Sequence, residues 1–362
     1  MPAERAPEGA LAAIQREVSR NVMRARNGVK WATGSEFAPL DPTPSDVIWQ
    51  EEKVRVRRYR RDSPPRYRTP VLAYLGLVGR PSVFDLYKGG SIVQMLMAEG
   101  FDVYVLDWGV PDELDSHNTL EIYLGGYFPK ALDAVCEESG SPAVNAFAYC
   151  MGGVMSVHGL AAQPDLPVHS LVTLASPFDW TDLGTFVNLV RDGKLEVEDI
   201  VDESGNVPGS VVRENWKLRK PTSDIVNYAN LLEHLWNDEY VEGWQAIGRF
   251  LYEHIPLTRG VAEQMVQMWL RDNAFVTDRL RFHGKRVRLA DVRLPVLGVV
   301  AERDDIAPLP AARALVDVLP NAQVELLQID TGHVSLFAGR KAVKVVMPKV
   351  FEWIAAQSEE AG

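Results

Sequence analysis

Three residues stand where acyl-transfer chemistry would need them. The segment Phe147-Ala148-Tyr149-Cys150-Met151-Gly152-Gly153 closes an apolar run and opens a helical one. A strand turning sharply into a helix lifts the residue at the turn clear of its neighbours, provided the residues two before and two after it are small. Here those are Ala148 and Gly152. The pattern is a nucleophile elbow, G-x-S-x-G, with Cys at its centre and Ala in the first position. A helix start behind Cys150 brings its partial positive charge to the sulfur, and the Met151 amide faces an oxyanion forming on an acyl group. A buried, inert Cys is the bland alternative; the strand–turn–helix setting separates Cys150 from it.

The remaining members should follow in the order acid, then base, each after its own strand. Behind the apolar run Leu294–Val300 comes Ala301-Glu302-Arg303-Asp304-Asp305-Ile306-Ala307-Pro308, with Asp304 the preferred acid and Asp305 the alternative. Both acids would otherwise cap a helix from Pro310. Behind Gln323–Ile329 comes Asp330-Thr331-Gly332-His333, which puts His333 in the base position. The other six histidines (117, 158, 169, 234, 254, 283) hold no such place. A second oxyanion donor belongs to the loop Leu77-Val78-Gly79-Arg80-Pro81, from the amide of Val78 or Gly79; Gly79 reads equally well as a turn residue. Only Cys136 and Cys150 exist, so neither a clustered metal site nor a disulfide framework is expected. Neither GxxxxGK[ST] nor GxGxxG occurs.

Positioning these groups takes an α/β core. Strands are expected at Thr69–Gly79, Phe101–Trp108, Ala143–Cys150, His169–Ser176, Leu294–Val300 and Gln323–Ile329. Helices are expected at Ser91–Glu99, Thr119–Glu138, Met151–Gln163, Pro310–Val318 and Ala342–Gln357. Strands separated by helices imply a parallel sheet with right-handed crossovers. Val47–Arg61 alternates apolar and charged residues and reads as an antiparallel pair at the sheet edge. Its arginines 55, 57, 58, 60 and 61 read as a solvated strand face, with phosphate attraction the sharper alternative. Residues 8–26 form an amphipathic helix (Leu11, Ile14, Val18, Val22), joined by a Pro-rich connector, 36–46. The expected organisation is 1–46 helix and connector, 47–176 first part of the core, 177–291 a mainly helical cap, and 292–362 second part of the core. The cap holds Trp180, Trp216, Trp236, Trp244 and Trp269, with helices at 222–235, 241–253 and 259–271.

Lys and Arg total 38 against 49 Asp and Glu, a net charge of −11 over 362 residues, which argues against general nucleic-acid binding. An anionic substrate must then find a local basic patch. No apolar h-region opens the sequence, and no apolar run approaches the roughly 20 residues a spanning helix needs. A cytoplasmic protein with reduced thiols is expected.

With those residues in hand, the sequence resembles the poly(3-hydroxyalkanoate) synthases, nearest to the short class III catalytic subunit. Phe147–Gly153 is similar to that family's G-x-C-x-G-G box. Val103–Trp108 with Gly109 and Pro111-Asp112 resembles its strand and Trp-Gly-x-Pro-Asp turn; Leu120–Tyr127, Leu171–Phe178, Asn206–Gly209 and Asn227-Tyr228 match further segments. Ala301–Pro308 and Gly332-His333 match the acid and base segments. The likeness runs from about 47 to 355. Ala148 departs from the usual Gly, and 178–290 matches only in patches.

The resemblance implies an α/β-hydrolase fold with a helical cap, and acyl transfer without a cofactor, the CoA thioester being the substrate. His333 takes the Cys150 proton, the thiolate attacks a 3-hydroxyacyl-CoA of short chain, and the Met151 and Val78 or Gly79 amides hold the oxyanion. Asp304 then helps His333 activate the 3-hydroxyl that extends the polyester, or acts on that hydroxyl directly. The resemblance further implies a homodimer, a non-catalytic second subunit and work at the polyester granule surface. The alternative is a Cys-dependent thioesterase or esterase on the same fold.

Overall fold

The computed structural model describes residues 10–33, 40–219 and 223–361, with side chains described for 15–30, 40–215 and 228–361. Residues 8 and 9 of the expected helix, 36–39 of the connector, residue 222, and the side chains of Leu11, Ile14, Trp216 and Asn227 lie outside the described residues. The main sheet has eight strands: β1 Ser45–Glu51, β2 Val54–Tyr59, β3 Val71–Leu75, β4 Val103–Asp107, β5 Val144–Tyr149, β6 Val168–Leu174, β7 Pro295–Ala301 and β8 Gln323–Ile329. Their order is β1-β2-β4-β3-β5-β6-β7-β8. β1 and β2, and β2 and β4, pair antiparallel. Every other neighbouring pair is parallel.

Strands β3, β4 and β5 are buried along their whole length, as parallel strands covered on both faces must be. The two-residue side-chain period sorts them between two cores. Leu72 and Tyr74 of β3, with Ala146 and Ala148 of β5, join one cluster with helices α3 Phe128–Ser139 and α4 Met151–Ala162. Val71, Ala73 and Leu75, with Phe147 and Tyr149, join the other, with helix α2 Ile92–Glu99 and the C-terminal helix Met347–Ala356.

Three expected helices change pitch, one of them, 259–271, in the segment between β6 and β7. Ile122–Tyr127 and Ala342–Val346 are π-helical, and α-helix follows each. Each following segment carries a proline at its second residue, Pro129 and Pro348. A proline donates no backbone bond, so the preceding turn widens to find other donors. The stretch expected as one helix from Pro310 to Val318 is two, Leu309–Arg313 and Leu315–Val318. The N-terminal helix runs Ala10–Thr33, beyond the expected end at 26.

Between β6 and β7 the chain builds helices at Thr185–Arg191, Gly209–Arg219, Ser223–His234, Asp238–Tyr252 and Arg259–Gln264, the last continuing in π form through Arg271. Trp269 is fully buried and packs 5.6 Å from Trp180, so both serve as core. The edge arginines are engaged by carboxylates: Arg55 by Asp107, Arg57 by Asp41, Arg58 by Asp102 and Glu138, Arg60 by Asp46. Arg61 donates to the Ser63 and Phe101 carbonyls. That stripe is internally paired, and the phosphate reading of it finds no support.

Candidate active site

The carboxyl ends of the central strands lie level. Leu75 pairs with Tyr149, Tyr149 with Leu174, Leu174 with Val299, and Ala301 with Ile329. The loops leaving β3, β5, β7 and β8 therefore share one rim, and these loops carry the candidate residues.

Cys150 follows β5 directly. Its backbone sits at φ 53° and ψ −122°, a region L-residues occupy only under constraint. The constraint comes from both sides. The Cys150 amide donates to the Leu174 carbonyl at 2.7 Å, tying the turn to β6. Helix α4 then presses so closely on the sheet that a Cβ on Gly152 would lie 2.9 Å from the Leu75 carbonyl carbon. One on Gly153 would lie 2.2 Å from Ser176 Oγ. Ala148 is fully buried, so its extra methyl is accommodated inside the core.

His333 and Asp304 are both buried, and His333 Nδ1 lies 2.8 Å from Asp304 Oδ2. Asp304 Oδ1 accepts the Ile306 and Ala307 amides, each at 2.8 Å. The carboxylate is thus held by its own loop and oriented at the ring. Asp305, the alternative acid, is exposed. With Nδ1 on Asp304, Nε2 is the nitrogen left for Cys150, whose charge acts on the ring. Burial alone would depress the His333 pKa, but the charges and hydrogen bonds of Asp304 and Cys150 outweigh it and push it up to about 10. Tyr149 packs its ring 5.5 Å from His333 and 4.5 Å from Phe337, and Phe337 meets Phe250 of the helical segment at 5.7 Å. Burial, with the charges of Cys150 and Asp304, drives the Tyr149 hydroxyl well above its ordinary range.

Met151 is the first residue of α4, where an amide has no intrahelical acceptor. The loop after β3 reaches this point through Gly76, whose Cβ would lie 2.3 Å from that of Met151. The expected strand Thr69–Gly79 takes in Gly76, but the strand ends at Leu75; a glycine interrupting the apolar run was the available signal. Among the described residues, the amides of Val78 and Gly79 donate no backbone hydrogen bond, while the Val78 carbonyl accepts from Ile255 at 3.2 Å. Cys136 belongs to α3, in the core across the sheet from Cys150, so the two thiols cannot pair. Among the described residues no cluster of His, Cys, Asp and Glu could hold a metal ion, and no helix is long and apolar enough to cross a membrane.

No protein-family profile matches the sequence. Individual relatives do. A poly(3-hydroxyalkanoate) polymerase subunit PhaC from Haloferax mediterranei is 31% identical over 319 residues, covering 88% of this chain and 65% of the relative. The subunit of that name from Allochromatium vinosum is 28% identical over 330 residues, covering 90% of this chain and 92% of the relative. The chain thus spans about two thirds of the first relative and nearly all of the second. Among solved structures, a lipase fold from Sulfolobus solfataricus superposes with a TM-score of 0.55 at 14% identity, over 89% of this chain and 99% of that one. That likeness concerns the fold alone. An elbow between β5 and α4, an acid after β7 and a histidine after β8 fit the α/β-hydrolase fold that the solved structures show, and the chain's sequence relatives are poly(3-hydroxyalkanoate) polymerase subunits.

Proposed function

We propose that this protein polymerises short-chain 3-hydroxyacyl-CoA into polyester and releases CoA through a thioester on Cys150. The observation that carries the reading is the buried Asp304–His333 pair set against a cysteine at a strained elbow, in a chain related to polymerase subunits. His333 Nε2 takes the thiol proton, and Asp304 on Nδ1 stabilises the imidazolium that results. The sulfur attacks the thioester carbonyl. The Met151 amide and one from the Val78–Gly79 turn receive the charge on oxygen. CoA leaves with a proton from His333. The same histidine then draws the proton from the 3-hydroxyl that attacks the next acyl group. A thiol suits this exchange because thioester passes to thioester with little change in free energy, whereas a serine ester would be a sink.

Segment 177–291 acts as a cap in this reading. Phe250, resting on Phe337 beside Tyr149, lets it exclude water, which would compete with the hydroxyl. A non-catalytic second subunit, a homodimeric state and work at the granule surface belong to the same proposal.

The test is incubation with 3-hydroxybutyryl-CoA, following CoA release and product together in wild type and Cys150→Ala, with and without a class III partner subunit. CoA release with insoluble polyester, lost in the variant, supports the proposal. Release of soluble 3-hydroxybutyrate alone would replace it with a thioesterase.

A further inference from the structure

A cleft of ≈ 290 Å³ opens between the β1–β2 turn, the end of β4 and the loop after β3. Its charged walls are Glu52, Lys53, Arg55, Arg80 and Asp107. Four of these five are already satisfied. Lys53 bonds Asp112 and Asp115, each at 2.5 Å. Arg55 holds Asp107 at 2.8 Å, and Glu52 accepts the Tyr127 hydroxyl at 2.8 Å. Arg80 differs. Its ion-pair partner among the described residues is Glu253, 3.9 Å away, and Glu253 already accepts from Arg249 at 2.7 Å. Arg80 therefore offers a guanidinium fork with donors to spare, in a chain whose net charge of −11 repels anions elsewhere.

The position gives this cation a use. Arg80 follows Gly79, in the loop whose Gly76 touches Met151 beside the elbow. β4 lies two strands from β5, about 10 Å at the usual strand spacing. A volume at the low end for small-molecule sites suits a phosphate-bearing end rather than a whole nucleotide. A neutral polyester has no use for a charged wall. A phosphate diester or monoester does, because guanidinium binds its oxygens two at a time.

We propose that Arg80 and this cleft hold phosphate groups of the CoA moiety, with the pantetheine arm passing Gly79 to reach Cys150. The inference rests on the acyl-CoA reading above and adds the residue that recognises the anionic end.

Calorimetric titration of wild type, Arg80→Glu and Arg80→Lys with free CoA and with pantetheine, which lacks the phosphates, tests it. Arg80→Glu is expected to weaken CoA binding by about tenfold or more, with Arg80→Lys retaining most of it. Pantetheine affinity, measurable or below detection, should be the same in all three proteins, and an unchanged melting temperature reports the fold. Raising salt from about 50 to about 500 mM should erode the wild-type preference for CoA. Equal CoA affinity in wild type and Arg80→Glu overturns the proposal. So does equal weakening toward both ligands, or no CoA binding by wild type. The expected pattern in a protein that makes no polyester would leave the phosphate site standing and remove the polymerase reading.

Discussion

Asp304 and His333 are joined side chain to side chain at 2.8 Å, and both are buried. The second Asp304 oxygen takes two backbone amides from its own loop, Ile306 and Ala307. The carboxylate thus has little freedom to turn away from the ring. It can hold one tautomer of His333 and one ring orientation.

This separates the two adjacent acids. Asp304→Asn should lower kcat by about 10²-fold or more, in line with loss of the acid of a triad. Asp305→Asn, on an exposed side chain, should leave kcat within about twofold. Steady-state CoA release measures both. Equal losses would place the acid elsewhere.

The His333 pair also ties stability to pH. The folded-state pKa lies near 10, above the ordinary 6.5, so the folded protein holds this proton more tightly than the unfolded chain. The stabilisation is complete below about pH 6.5 and is lost as pH rises through about 10. Melting temperatures of wild type and His333→Gln, compared from pH 6 to pH 10.5, should converge toward the alkaline end. A gap that widens with pH would contradict the charge pairing.

His158 on α4 has the opposite sign. It is buried among Trp269, Phe275 and Phe282, and its Nε2–H donates to the Arg281 carbonyl at 2.9 Å. Burial outweighs that bond and pulls its pKa down to about 4. Its neutral form contributes stability that is present above about pH 6.5 and lost as pH falls toward 4, by about 3 kcal/mol at most. His158→Gln should flatten the acid limb of a denaturation series between pH 7 and pH 4. An unchanged acid limb would count against it.

The elbow glycines can be told from an ordinary one. Gly152→Ala sets a methyl against the Leu75 backbone, which must shift, at a cost of about 1–3 kcal/mol and with loss of activity. Gly248, inside helix Asp238–Tyr252, has open space at its Cβ position. Gly248→Ala should stabilise by up to about 1 kcal/mol. Chemical denaturation of the two variants beside wild type gives the comparison.

Much of this arrangement was legible before any coordinates. β8 matches its expected bounds, Gln323–Ile329, and β5 breaks at the expected cysteine. Alternation of apolar runs with helical ones carries that information, because both faces of each strand must be buried. The difference between Asp304 and Asp305 was less legible: neighbouring acids differ only in which way the loop turns, and the Ile306 and Ala307 amides hold Asp304 toward the ring of His333. Gly76 escaped notice because its need is tertiary, the approach of Met151 from a segment 75 positions away. The π turns escaped because helical periodicity does not register one extra residue, although Pro129 and Pro348 mark two of the three sites.

The level ends of β5, β7 and β8 have a consequence for biosynthesis. The three groups of the site sit at positions 150, 304 and 333, and only the closed sheet brings them to one rim. A ribosome releases β7 and β8 last. Cys150, the proposed nucleophile, can emerge and even take its strained turn while the nascent chain still lacks His333, its proposed base. Reactivity at Cys150 would therefore wait for β8, and turnover would itself report that this strand has docked.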